Sequence, residues 1–412
     1  MAGARLRPAR PVIPVRTRLL VFLAAIGGFL PLVTDGFLPA VRPMMAELGA
    51  TVSSAQLATS LALAGFACAQ LLIGVAADRF GRRPVLLAAM VLFICASAGA
   101  GAAPSLPVLL LFRFLQGFCA AAGPVISRAV VRDTCVRLEG ARVLSLVGMG
   151  MGAIPLVIPT INAQVEIWFG WRATSIVYLI YLAATLAMAL AWFEETLAAP
   201  DPRALSVTEL AKAVRAVLSH RQALGYILCC MFGYAGLAVW ISSAPHLVLG
   251  YFHQSAASLG LWWALPVLTY VLGGYLSARG LTRYSSDTML RVGSFVLLSA
   301  GAALVLLLGT ERMPLYAFVA AVATYNCGWA IVQPHAQAGA LSFFPSYAGR
   351  VSAILGFLQM LGAAAIGLAF GALHDGTPRA AALLIAATAL ATNAVRVMLA
   401  MRRVNAAGGL QL

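Results

Sequence analysis

Apolar residues run along this chain in blocks close to the ~20 residues that a helix needs to cross a bilayer, and polar residues gather between the blocks. Twelve blocks can be traced, at 19–40, 54–77, 84–103, 106–131, 141–163, 171–193, 222–246, 256–278, 289–309, 313–334, 348–372 and 378–401. Each predicts a membrane-spanning helix. The longest polar stretch, 194–221, falls between the sixth and seventh blocks and contains an amphipathic segment, Val207 to Leu218, expected to lie on the membrane surface. The pattern predicts an all-α polytopic membrane protein with a basic N-terminus (1–18), a six-helix group (19–193), a connecting loop (194–221), a second six-helix group (222–401) and a tail (402–412).

Composition agrees with a lipid solvent. Of 412 residues, 62% are hydrophobic and 10% charged, against about 25% charged in a soluble domain, and mean hydropathy is +0.92. The net charge of +15 is not a nucleic-acid signature, because the basic residues sit in alternate loops. Only Arg42, Arg172, Arg312 and Arg379 fall in the loops of one side and Arg113 falls within a span; the other 23 of the 28 Lys and Arg residues flank the N-terminal side. That bias places both termini in the cytoplasm. Arg5, Arg7, Arg10, Arg16 and Arg18 resemble the charged start of a signal peptide, but the apolar run behind them exceeds the roughly 7–15 residues of a signal core and reads as the first span. None of the seven cysteines falls in a loop of the opposite side, so neither a disulfide framework nor a zinc cluster is expected. Cys229 and Cys230 read as helix filling.

Within the first span a single carboxylate, Asp35, interrupts the hydrocarbon stretch. Keeping an acid charged at such depth costs roughly 2.5–3.5 kcal/mol on insertion scales, so a chain that retains one is expected to use it for protons, ions or substrate. Pro31, Gly36 and Pro39 loosen the helix around it, as transporters do where a site must meet water. By helical rise, Asp35 stands about 25 Å above Arg18, and Arg113 about 9 Å below Pro107; both fall in the same half of the membrane. Asp35 is thus the nearest acid in height to Arg113, and a coupling is expected, direct or through water or Gln116. A guanidinium does not release its proton in proteins, so Arg113 would tune the carboxylate and not carry the proton. The alternative is that Arg113 ties helices together through backbone carbonyls.

A short internal match supports two related halves: GVAADR at 74–79 aligns with GYLSAR at 274–279, with Asp78 replaced by Ala278. Residues 74–84, GVAADRFGRRP, resemble the signature loop of the major facilitator superfamily. Gly74 would let helices approach closely, Gly81 would permit the turn, and Arg79, Arg82 and Arg83 would anchor at the anionic leaflet. The resemblance implies that Asp78 docks on the eleventh helix, near Ser346 to Gly349. The span-four stretch from Arg113 to Asp133 resembles the drug:proton antiporters of the superfamily, most closely the bicyclomycin and chloramphenicol resistance branch. TDGFLPA at 34–40, FEETL at 193–197 and HDGTP at 374–378 share that likeness. It implies the major facilitator fold of two six-helix bundles, and a gate in which Asp133, with Arg128 and Arg132 beside it, pairs with Arg83 or Arg82. The match weakens at the fifth span: Gly148, Gly150, Gly152, Pro155 and Pro159 keep it bendable, but Asn162 and Ala163 stand where a glycine pair is expected.

Tyr234, Trp240, Trp262, Trp263, Tyr270, Tyr325, Asn326, Gln333 and Gln359, all in the second half, and Asn162 are candidate cavity residues, since aromatics with a few amides suit amphipathic solutes. Trp and Tyr near span ends also serve as interfacial anchors. His246 and His335 lie near span ends and are not expected to carry protons. No nucleophile elbow, phosphate loop or zinc-protease motif is present, so an enzyme is not expected, and no metal or cofactor is implied. With no nucleotide site, the energy must come from a gradient. The expected protein is a monomeric, proton-driven exporter of small amphipathic solutes such as antibiotics, in a bacterial inner membrane. Export of an endogenous siderophore or other metallophore is the alternative, and a non-transporting membrane sensor the remote one.

Overall fold

The computed structural model describes residues 17–134, 154–155, 157–200, 207–310, 313–344 and 348–408. Two prolines dictate how the first span begins. Proline has no N–H to give to the carbonyl four residues back, and its ring clashes there. Pro31 therefore interrupts the helix at Gly27 and Pro39 at Asp35. The chain runs accordingly as α1 (Thr17–Gly27), α2 (Phe29–Thr34), a series of turns through Ala40, and α3 (Val41–Leu48). The apolar run 19–40 is thus a helix only as far as Thr34.

The first half continues with α4 (Val52–Phe80), α5 (Arg82–Gly101), α6 (Leu106–Ala120) with α7 (Ala122–Thr134), α8 (157–169) and α9 (Thr174–Trp192). A capping box between Thr51 and Ser54 starts α4, satisfying N–H groups that the first turn leaves free. Gly81, at φ +105°, separates α4 from α5 in a conformation that a side chain would strain. The amphipathic segment forms α10 (Val207–Ser219), and the second half comprises α11 (Arg221–Ala244), α12 (Ala256–Gly280), α13 (Ser286–Leu307), α14 (Leu315–Ser342), α15 (Ala348–Leu373) and α16 (Arg379–Gly408). A π-helical stretch, Pro245–Tyr251, extends α11 beyond the expected limit of 246. No strand occurs among the described residues.

Eleven stretches among the described residues are long and apolar enough to cross a membrane. Most of the remaining expected span, 141–153, lies outside the described residues, together with Gly148, Gly150 and Gly152; its far end is α8, which runs past 163 to 169.

Each half has its own core. Phe22, Phe29, Phe66, Phe93 and Leu182 belong to the first, and Trp240, Phe318, Tyr325, Trp329 and Phe370 to the second. The cores interlock: Leu38 packs into the second, while Ala238, Met360, Ala363 and Ala364 pack into the first. The longest contact between the bundles is α4 against α15. It is lined by glycines, since a Cβ on Gly356 would meet Gln70 Oε1 at 2.7 Å, on Gly367 would meet Ser60 Oγ at 2.8 Å, and on Gly371 would meet Gln56 Cβ at 2.9 Å.

Two faces can be distinguished. Arg79, Arg82, Arg83 and Asp133 mark a basic face. On the opposite face Arg42 Nη1 donates to Leu249 O at 2.8 Å across the bundles. There too Glu47 takes the Trp171 indole N–H at 2.5 Å and pairs with Arg172.

Candidate functional site

The proline break leaves carbonyl groups in the first span without helical partners, and side chains of neighbouring helices take them. Arg113, on α6 and 1% exposed, donates from Nη2 to Val33 O at 2.8 Å and from Nη1 to Gln116 Oε1 at 2.9 Å. Its guanidinium also lies 4.1 Å from the Phe37 ring centre. Asn162, on α8, donates from Nδ2 to Gly36 O at 2.7 Å. Two buried polar side chains thus hold open a helix that proline has broken. Such a bond to a charged group contributes about 1.5–3 kcal/mol, and removing the partner leaves a buried carbonyl unsatisfied.

Asp35 stands at the centre of this break, 6% exposed. Thr34 Oγ1 donates to its Oδ1 at 3.0 Å, and no guanidinium or ammonium group of the described residues lies within ion-pair distance of it. The sequence pointed to a coupling with Arg113, direct or through water or Gln116, with a tie between helices through backbone carbonyls as the alternative. The structure shows the carbonyl tie for Arg113, and Gln116 Nε2 donates away from Asp35, to Ser97 Oγ on α5 at 3.1 Å. The reason is the break itself: the freed Val33 carbonyl competes for the guanidinium. Asn162, a candidate for solute contact, is likewise occupied with Gly36 and fully buried.

The basic face is organised around Arg82, 2% exposed. Its Nη2 pairs with Asp78 at 2.6 Å and its Nε donates to Asp133 Oδ2 at 3.1 Å, so the partner of Asp133 is Arg82 and not Arg83. Glu195 closes the cluster, accepting the Arg82 N–H at 3.0 Å and the Arg83 N–H at 3.0 Å. It sits where the α5 dipole favours an anion. Burial opposes the charge of Glu195, but N–H groups of Leu197, Arg82, Arg83 and Thr196 outweigh it and hold the carboxyl below its usual range. Arg79 lies along the Phe80 ring. Gly74 is not needed for close helix approach here, because a Cβ would meet only Val125 Cγ1 at 3.8 Å. Of the expected docking place of Asp78, Ser346 to Gly349, residues 346 and 347 lie outside the described residues and 348 and 349 begin α15; the side chain of Arg132 is also outside them.

In the second half the candidates divide. Tyr234, half-buried on α11, is within electrostatic reach of Asp35 and of Tyr270, and the Tyr270 hydroxyl donates to Gln333 Oε1 at 2.8 Å. Of these three, Tyr234 is the one that reaches the first bundle's carboxylate. Tyr325 instead donates to Gly233 O at 3.1 Å inside its own bundle, Asn326 Nδ2 donates to Pro266 O at 3.3 Å, and Trp240 stacks on Trp263 with ring centres 5.5 Å apart. They brace α11, α12 and α14 against one another. Gln359 is buried.

The sequence and the two-bundle helical fold match known proteins. Residues 19–367 match the family described as Major Facilitator Superfamily. The chain belongs to this superfamily. It is 33% identical over 325 residues to a chloramphenicol resistance protein of Pseudomonas aeruginosa, covering 78% of this chain and 75% of that protein. It is 27% identical to multidrug resistance protein D of Escherichia coli K12, over 84% of this chain and 85% of that protein. Among solved structures, the inward-open xylose transporter of E. coli superposes with a TM-score of 0.72 at 15% identity, over 92% of this chain and 94% of that one. A human organic anion transporter gives 0.66 at 20% identity, over 93% and 98%. The protein is a multi-pass membrane transporter, not an enzyme.

Three further residues of this major facilitator transporter come to its sites in the structure. Glu195 belongs to the FEETL motif, and its signal is an acid just beyond a span end, available to cap a helix 113 residues away. Ser97 and Tyr178 gave no signal, since a lone hydroxyl in an apolar helix is ordinarily packing. Tyr178, on α9, shares with Arg113, Gln116, Phe37 and Trp171 a small pocket beside the break.

Proposed function

We propose that the protein is a proton-coupled antiporter that exports small amphipathic molecules, antibiotics among them, by alternating access. The observation that carries this reading is Asp35: a buried carboxyl with no cation partner among the described residues, placed at a break in the first span and facing Tyr234 across the bundles. Sealed from water, a carboxyl of this kind is stable only with its proton, and it can release the proton when water or solute reaches it. A site that binds proton or solute but not both exchanges one for the other. The drug-resistance names of the relatives support the solute class. The energy is the proton gradient, with no cofactor, and the monomer suffices as the transport unit.

The gate on the basic face is Gly81, Asp78, Arg79, Arg82, Arg83 and Asp133, with Glu195 as its clamp. The basic face lies in the cytoplasm of a bacterial inner membrane, and both termini with it. A reporter fused after Thr310 is expected outside and one after Ser206 inside; the reverse labelling overturns this orientation.

Asp35→Asn tests the reading directly. In proteoliposomes loaded with chloramphenicol or ethidium, the variant is expected to keep downhill exchange and lose gradient-driven accumulation together with solute-linked proton flux. Full proton-driven transport by Asp35→Asn would refute the proposed coupling.

A further inference from the structure

Around Asp35, three buried side chains carry polar atoms with no hydrogen-bond partner: Arg113 Nε, Asn162 Oδ1 and Tyr178 Oη. A buried polar group left unpaired costs about 1–3 kcal/mol, and three at one break call for a use. Tyr178 is the informative one. It is 3% exposed, and its hydroxyl reaches so close to the broken first span that a Cβ on Gly36 would meet it at 2.9 Å. It is within electrostatic reach of Asp35 and stands at the edge of hydrogen-bonding range of the Arg113 guanidinium. Resting on the proton-coupled reading above, we infer that Tyr178 is the positioning residue that joins Asp35 to Arg113 in the deprotonated half of the cycle.

Arg113 is committed to the Val33 carbonyl. To swing onto Asp35 it would have to abandon a carbonyl that has no other partner. A tyrosine between the two removes the conflict. When Asp35 gives its proton to water, the Tyr178 O–H turns to donate to the carboxylate, and the same oxygen accepts the Arg113 Nε–H. Tyr178 keeps its proton throughout, so it relays charge stabilisation and not the proton itself. The groups facing Asp35 are then Thr34 on its own segment, Arg113 from α6, Tyr178 from α9 and Tyr234 from α11. Only Tyr178 lies close to both the guanidinium and the carboxylate. Glycine at position 36 is what lets the hydroxyl in.

The test is Tyr178→Phe, which keeps the ring and removes the hydroxyl. Losing a donor to the charged carboxylate favours the protonated acid, so the pH of half-maximal gradient-driven chloramphenicol transport is expected to rise by about 0.5–1 unit, roughly a three- to tenfold gain in proton affinity. Chloramphenicol binding is expected to stay within about twofold, a few tenths of a kcal/mol. The infrared band of the protonated Asp35 carboxyl, assigned by its loss in Asp35→Asn, is titrated in the purified protein. Its midpoint should move up in Tyr178→Phe even if that variant transports nothing. A lower rate with an unmoved profile and an unmoved infrared midpoint overturns the inference and makes Tyr178 a packing residue. The two claims fail separately. Intact coupling in Asp35→Asn removes the antiport reading, whereas uncoupling in Asp35→Asn with no shift in Tyr178→Phe removes the role of Tyr178 alone.

Discussion

Arg82 shows what one residue can do with three kinds of partner. Its guanidinium holds Asp78 and Asp133, while its backbone N–H is held by Glu195. A buried arginine without such anions would be strongly unfavourable; with them it welds α4, α5 and α7 at the basic face. Glu195 acts on the backbone, so its loss should loosen the clamp without leaving the guanidinium unpaired. Because its carboxyl is held below the ordinary value of 4.5, the stabilisation is complete above that value and is lost as pH falls through the lower folded-state value. Glu195→Gln should therefore cost about 1 kcal/mol at neutral pH, the scale of a helix-capping group. The gap in thermal midpoint between wild type and variant, measured in detergent, should close on acidification below 4.5. A gap that persists in acid would assign the effect to packing. The family resemblance left Asp133 a choice between Arg82 and Arg83; three-dimensional placement decides it, because Arg82 turns inward while Arg83 reaches the Leu190 carbonyl at 3.4 Å.

At the scale of elements, hydrophobic periodicity located the helices well because lipid imposes one rule: every backbone group must be satisfied within its own segment. What it misjudged were the exceptions to that rule. The run 19–40 is apolar throughout, yet the helix stops at Thr34, since Pro39 cannot donate to Asp35 O and Leu38 N takes that carbonyl instead at 3.2 Å. Hydropathy registers what a side chain prefers and is blind to which carbonyl loses its donor. The prolines were visible and rightly marked the loosened segment; the compensating groups, Arg113 and Asn162, lie 80 and 126 residues away. Which carbonyls they take is unreadable from spacing: the charge on Arg113 favoured an acid over the backbone carbonyl that the sequence left as the alternative and that the structure shows. Span ends misread by several residues, such as α8 reaching 169 and α11 continuing through a π-helical stretch to Tyr251, have the same origin. Both extensions carry residues apolar enough for either membrane or interface.

For the whole molecule, the seam between α4 and α15 joins halves that must separate if access alternates. One side of it bears Gln56, Ser60 and Gln70, and the other Gly371, Gly367 and Gly356. Glycines present no knobs to lock into the facing helix, so the surfaces can part or slide without unpacking a core. On the face opposite the basic loop the closed seam is also poorly satisfied, because Gln56 Nε2, Ser60 Oγ and Ser242 Oγ have no partners and all lie within 3.3 Å of the point a Gly367 Cβ would occupy. Opening would hydrate all three. A bulky residue at position 367 should drive the molecule the same way, since its Cβ alone would meet Ser60 Oγ at 2.8 Å. Gly367→Leu is thus expected to hold that face open and to cut gradient-driven transport by about tenfold or more, an imbalance of at least ~1.4 kcal/mol between the two states. Gly367→Ala should give a smaller loss. Spin labels at Ser53 and Ala372, both exposed on that face, should report a longer distance in Gly367→Leu than in wild type. Unchanged distances with full transport would mean that α4 and α15 stay together through the cycle, and that the bundles part somewhere else.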